Sequence, residues 1–160
     1  MIEVLKKTTR SKGGRVPGRR IAIVASRYNA RYVNSMLRAA KVELTKASVI
    51  VEVVRVPGAF EIPAVASALA MRLGKPVDAI VCLGVILRGE TTHAEHIGCA
   101  VTNALMQLQV DYTLPVVHEV LLLENIEQAR KRCLDSSHNR GVEAARTAVE
   151  MTRVMSSLGM

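Results

Sequence analysis

Residues 77–96 read Val77-Asp-Ala-Ile-Val-Cys-Leu83, Gly84-Val-Ile-Leu-Arg-Gly-Glu90, Thr91-Thr-His-Ala-Glu-His96, and their order decides the fold. The first segment is an apolar run rich in β-branched residues and too short for a helix, which reads as a strand buried on both faces. Gly84 to Glu90 reads as a loop. Beyond it, Thr92 and Glu95 have the spacing of a capping box that opens a long helix to about Val110. Strand, loop and helix in that order make half of a βαβ unit, and the same alternation extends to either side. Upstream, Ile21 to Ser26 is a core strand, and Asn29 to Lys46 carries Val33, Met36, Leu37, Ala40 and Leu44 at helical spacing. Val49 to Val56 is a second strand ended by Pro57-Gly58. The helix after it has Pro63 in its first turn, where a missing N–H costs nothing, and runs to Gly74. Downstream, Pro115 to Leu122 is the fourth strand. Asn125 to Cys133 and Val142 to Ser157 are closing helices around the polar joint 135–141.

Strands this apolar need cover on both faces, and right-handed crossovers then place helices on both sides of a parallel sheet. The expected fold is an α/β, flavodoxin-like three-layer sandwich with strand order 2-1-3-4. In such sheets ligands bind beyond the carboxyl ends of the strands, near the point where strand order reverses. The unusual residues collect there: Arg27-Tyr-Asn29 after the first strand, Pro57 to Glu61 after the second, Gly84 to His96 after the third. His118-Glu119 interrupts the fourth.

A chain of 160 residues with 49% apolar and 22% charged residues builds one folded domain, not a disordered or collagen-like chain. Its longest apolar runs fall short of the roughly 20 residues a membrane span needs, and residues 1–20 have no export signal, so the cytoplasm is the expected compartment. The formal charge is +8, but residues 1–20 hold seven of the 22 basic residues and one of the 14 acidic ones. The rest is nearly neutral. Residues 1–20 are read as a basic arm and 21–160 as the domain. With only Tyr28, Tyr32, Phe60 and Tyr112 as aromatics, and none in the arm, nucleic-acid binding is not expected. Cys82, Cys99 and Cys133 form no CxxC and are read as buried, reduced thiols.

Gly84 and Gly89 have the spacing of a phosphate-binding loop, yet Glu90 stands where that motif needs lysine, so nucleoside triphosphate chemistry is not expected. Glu90, Thr91 and Thr92 still open a helix whose free N–H groups can receive an oxyanion; plain capping is the alternative. His93-Ala-Glu-His96 resembles a deaminase fragment without the second ligand cluster that a zinc site requires, and no metal is expected. His93 is placed to move protons near neutral pH. Tyr28 and Phe60, just past strand ends, offer flat faces for a heteroaromatic ring or serve as loop packing. Arg132 and Arg140 flank the joint with Glu143 near, as phosphate forks or as a salt-bridged surface.

Pro57-Gly-Ala-Phe-Glu-Ile-Pro63, Gly89-Glu-Thr-Thr-His93 with Glu95-His-Ile97, Glu124-Asn-Ile-Glu-Gln-Ala129 with Arg132, and Asn139-Arg-Gly-x-Glu-Ala-Ala145, in this order, resemble the lumazine synthases over about Ile21 to Met151. The resemblance implies a transferase of riboflavin biosynthesis. It condenses 5-amino-6-ribitylaminouracil with 3,4-dihydroxy-2-butanone 4-phosphate, giving 6,7-dimethyl-8-ribityllumazine, phosphate and water without metal or redox cofactor. A cage-forming scaffold of the same fold, weakened in catalysis, is the alternative; archaeal-type riboflavin synthase is a nearer rival that the Gly-Glu-Thr-Thr-His run disfavours.

Carried over residue by residue, the resemblance sets Tyr28 against the pyrimidine, Ala59, Phe60 and Glu61 along the ribityl chain, and Val85, Ile86 and Leu87 around the ring. Glu90, Thr91 and Thr92 would cradle the phosphate, with Arg132 as counter-charge and His93 as acid and base. His118 stands where the family usually has Phe, His118-Glu-Val120 where Phe-Gly-Val is common, and Arg140 where Lys is usual. The resemblance further implies pentamers, assembled here into a 60-subunit shell, with active sites between subunits. His118, Arg132 and Arg140 would come from one chain and the rest from the next. Met1 to Lys7 would add a strand to a neighbour's sheet, leaving an exposed linker from Arg10 to Arg20.

Overall fold

The computed structural model describes residues 14–159. Strands β1 (Arg20–Ser26), β2 (Ile50–Val56), β3 (Ala79–Leu87) and β4 (Val116–Leu123) form one parallel sheet in the order β2-β1-β3-β4, as expected. Helices α1 (Ala30–Lys46), α2 (Ile62–Ala70), α3 (His93–Tyr112), the short α4 (Ile126–Ala129) and α5 (Arg140–Ser157) connect and close it. Strand alternation feeds two cores. Ile21, Ile23 and Ala25 of β1 pack with Val33, Met36 and Leu44 of α1 and the alanines of α5. Ala22 and Val24 point the other way, to Ile62 and Ala66 of α2 and Val101 and Leu105 of α3. These side chains are almost fully buried, and each contributes about 1.5–3 kcal/mol relative to exposure for the larger aliphatics.

Small residues let α5 lie close to α1. Asn139 caps α5 by accepting the Gly141 N–H at 2.9 Å, and its side-chain amide donates to the Cys133 carbonyl at 2.6 Å and the Ser35 hydroxyl at 3.3 Å. Gly141 faces the main chain of Met36 directly.

Several local expectations are corrected. The segment from Gly84 is not all loop: β3 continues to Leu87, because β4 accompanies it through Gly84↔Val120 to Leu87↔Leu123. Helix α2 stops at Ala70, short of Gly74, and the Arg72 side chain reaches forward to donate to the Lys75 carbonyl at 3.0 Å. Thr92 and Glu95 form no capping box; Glu95 instead pairs with Arg88. The helix expected over Asn125 to Cys133 is α4 followed by a π turn, Arg130–Leu134. Cys82 and Cys133 are buried, but Cys99 is exposed on α3.

The strand expected at Met1 to Lys7 lies outside the described residues. So do residues 10–13 of the linker expected from Arg10 to Arg20. Its last residues are docked: the Val16 N–H bonds to the Ala47 carbonyl at 2.9 Å, and Arg19 pairs with Asp78 at 2.7 Å.

Candidate functional site

The site begins with an offset in the sheet. β1 accompanies β3 only as far as Ala25↔Leu83, whereas β4 follows it to Leu87. From Val85 onward one edge of β3 therefore has no strand beside it. Strand backbone alternates, and since the Arg88 N–H bonds to Leu123 of β4, Val85 and Leu87 turn their amide groups to the open side. Asn29 partly fills the gap. Its backbone is left-handed at φ 55°, a conformation Asn tolerates better than most residues, and its side-chain amide donates to the Val85 carbonyl at 2.7 Å.

Around this edge opens a cleft of about 650 Å³ lined by Tyr28, Ala59, Phe60, Glu61, Val85, Ile86, Leu87, Thr91 and His93, with Asn29 and Ile97 among its other walls. Tyr28 and Phe60 are 75% and 60% exposed, so neither is core packing within the chain. They are flat apolar faces at the mouth. One oxygen of Glu61 accepts the Gly58 N–H at 2.8 Å, which orients the carboxylate while its second oxygen remains an acceptor. His93 is the first residue of α3 and is exposed at the helix's positive end. Its N–H lies 3.5 Å from the Thr91 hydroxyl. Glu90 and Thr92 flank the cleft without lining it; the Thr92 hydroxyl lies 3.3 Å from Nε2 of His96.

The remaining expected residues are elsewhere. His118, Arg132 and Arg140 line a second, larger groove of about 1320 Å³ between β4, the π turn and α5, and it shares no lining residue with the cleft. The chain does not bring its site residues together within itself.

Within the groove the cations are in different states. Arg132 has no ion pair or hydrogen bond among the described residues and projects from the π turn, whose conformation Asn139 secures through Cys133. Arg140 is the salt-bridged alternative. Its Nε and Nη2 donate to the two oxygens of Glu119 at 3.0 and 2.6 Å, and Nη1 donates to Glu143. Glu119 is only 5% exposed; burial pushes its carboxyl upward, and Arg140 opposes that shift. Nε2 of exposed His118 lies 3.0 Å from the Thr102 hydroxyl of α3.

Three contributors were missing from the expected site: Asn29, Asn139 and Glu119. A sequence signal existed for Glu119, since a carboxylate inside an apolar strand must find a partner. Asn29 and Asn139 each directly precede a helix, which reads as capping and says nothing of Val85 or Cys133. Among the described residues, no group of three or more His, Cys, Asp and Glu side chains is arranged to hold a metal ion.

An open parallel-sheet edge, an aromatic-mouthed cleft and a helix start beside a histidine thus lie together at one end of an α/β protein of flavodoxin-like fold. A family model described as 6,7-dimethyl-8-ribityllumazine synthase matches residues 18–156. Proteins of that name from Stenotrophomonas maltophilia strain K279a and Xanthomonas oryzae pv. oryzae are similar to the chain. The first is 39% identical over 142 residues, covering 87% of this chain and 90% of the relative. The second is 37% identical over 147 residues, covering 90% and 94%. The chain belongs to the 6,7-dimethyl-8-ribityllumazine synthase family.

Proposed function

We propose that this chain joins 5-amino-6-ribitylaminouracil to 3,4-dihydroxy-2-butanone 4-phosphate in riboflavin biosynthesis, at sites made where the cleft of one subunit meets the groove of its neighbour. The separation of His118, Arg132 and Arg140 from the cleft residues carries this reading, because neither concavity alone holds both a ring-binding face and an unpaired cation.

In the cleft, Tyr28 stacks on the pyrimidine and Val85, Ile86 and Leu87 wall it, the open edge of β3 offering main-chain groups to its polar rim. Ala59, Phe60 and the free oxygen of Glu61 hold the ribityl chain. The phosphate of the second substrate sits at the start of α3, by Glu90, Thr91 and Thr92, with Arg132 of the adjoining subunit as counter-charge. The 5-amino group then forms a Schiff base with the ketone and expels water, phosphate leaves by elimination, and ring closure expels a second water. Each step moves a proton beside His93. Holding two substrates in register supplies much of the rate, since it turns an encounter of two molecules into an internal reaction.

Assembly follows from the same reading. Met106, Val110 and Tyr112 of α3, Leu122 of β4 and Ile126 of α4 leave large apolar side chains exposed, which suits contact with neighbouring copies. The proposed arrangement is a pentamer built into a 60-subunit shell, with residues 1–20 as a basic arm, acting in the cytoplasm. No helix among the described residues is long and apolar enough to cross a membrane.

The test is to mix the purified protein with both substrates and follow lumazine absorbance together with phosphate release. Equal production of both is expected. An assembled protein that makes neither would turn the reading to a scaffold of the same fold.

A further inference from the structure

We infer that Glu119 is a specificity-determining positioning residue: with Glu143 it clasps Arg140 so that this guanidinium reads neutral hydrogen-bond acceptors and is denied to anions. The inference rests on the proposed function and deepens it by giving the groove's two arginines, Arg132 and Arg140, different parts of the substrates to hold.

A guanidinium carries five N–H donors. Glu119 takes two of Arg140's through Nε and Nη2, and Glu143 takes one through Nη1. Two donors remain, fixed in direction because the planar clasp leaves the group no freedom to turn. Charge decides what they can receive. Two carboxylates face one guanidinium, and one of them is almost wholly removed from water, where its field is little screened. An incoming phosphate meets a local excess of negative charge, whereas a carbonyl accepts the same two donors without that repulsion. Arg146, the next cation along α5, is turned away to Glu43 at 3.0 Å, so it does not restore the balance.

The groove's second arginine is the reverse case. Arg132 has no carboxylate partner among the described residues, and Lys131 lies beside it. His118, which also lines the groove, is held by the Thr102 hydroxyl of α3 at 3.0 Å. The groove thus sorts by charge: phosphate to Arg132, the carbonyl edge of the pyrimidine to Arg140. A repulsive element of this kind separates two ligands that a second free arginine would confuse.

Calorimetric titration with inorganic phosphate tests this without turnover, so its failure is separable from failure of the lumazine assay. The wild-type protein is expected to bind phosphate, and Arg132→Ala to bind it at least about tenfold more weakly. Adding Glu119→Gln to Arg132→Ala frees Arg140 from one charge and regains phosphate affinity by several-fold. Because Glu119→Gln disturbs a buried pair, Glu143→Gln on the same background is the second variant; it removes the exposed carboxylate and gives a smaller gain in the same direction. Phosphate binding undiminished by Arg132→Ala overturns the inference. So does the absence of any gain in both double variants, or in Arg132→Ala/Glu143→Gln where the Glu119 variant does not fold.

Discussion

Gly141 of α5 packs its Cα against the main chain of Met36 in α1, so closely that a Cβ at this position would overlap the Met36 carbonyl group. No flexible side chain stands in between to give way. Gly141→Ala therefore has to push the two helices apart and disturb the Asn139 cap next to it, at a cost of about 3 kcal/mol in urea unfolding. Gly98→Ala is the contrast. There a Cβ meets only the Leu122 side chain at ordinary contact distance, 3.5 Å, and the helix gains propensity, so stability is expected to hold or rise by roughly 0.5–1 kcal/mol.

Burial separates the thiols. It pushes Cys133 up to about 11 and Cys82 higher still, so neither forms a thiolate at neutral pH. Alkylation of the native protein followed by mass spectrometry should leave both unmodified, with Cys99 as the thiol open to label. Both should react once the chain is unfolded. Native labelling at Cys82 would contradict its place inside β3.

The link between α1 and α5 is sensitive to acid. Hydrogen bonding from Lys46, then the Arg146 contact, holds the Glu43 carboxyl below its ordinary value despite partial burial. A carboxyl whose folded pKa is depressed contributes stability that is present above its unfolded pKa and is lost as pH falls through the folded one. Glu43→Gln should thus be less stable than wild type at pH 7. The gap should close as pH drops below the usual glutamate range. A gap independent of pH would show that packing, not charge, is what the substitution removes.

His93 and Arg132 are expected to fail in different ways. In the proposed mechanism His93→Ala removes a proton carrier while the substrates remain positioned, so kcat should fall by roughly 100-fold or less and KM change little. Arg132→Ala removes the proposed charge-assisted hydrogen bond to phosphate, and KM for the butanone phosphate should rise about 10- to 100-fold with KM for the pyrimidine kept. Steady-state kinetics with each substrate varied in turn distinguishes the two.

How much of this was legible beforehand depends on where each instruction resides. The β-branched runs after Arg20 and around Val81 specify buried strands by local composition, and the parallel order follows from their alternation with helices. The tail of β3 was not legible in the same way, because Gly84 reads as a break unless one knows that Val120 lies opposite. The π turn depends on Asn139 reaching the Cys133 carbonyl, an interaction of a later residue on an earlier one. Glu95 looked like half of a capping box until Arg88, itself held by Glu124 at 2.9 Å, competed for it. The candidate site residues were chosen by type, spacing and family resemblance, but their division between two concavities came only from the packing of α5 and the π turn against β4.

If the proposed sites form between subunits, that division has a genetic consequence. With the cleft and the groove on separate parts of one subunit, a defect in one leaves the other intact on the same polypeptide. Subunits carrying His93→Ala and subunits carrying Arg132→Ala, each crippled alone, would on co-assembly bring sound faces together at some of their junctions. Two damaged alleles in one cell would then complement each other, whereas a single polypeptide bearing both lesions would rescue nothing.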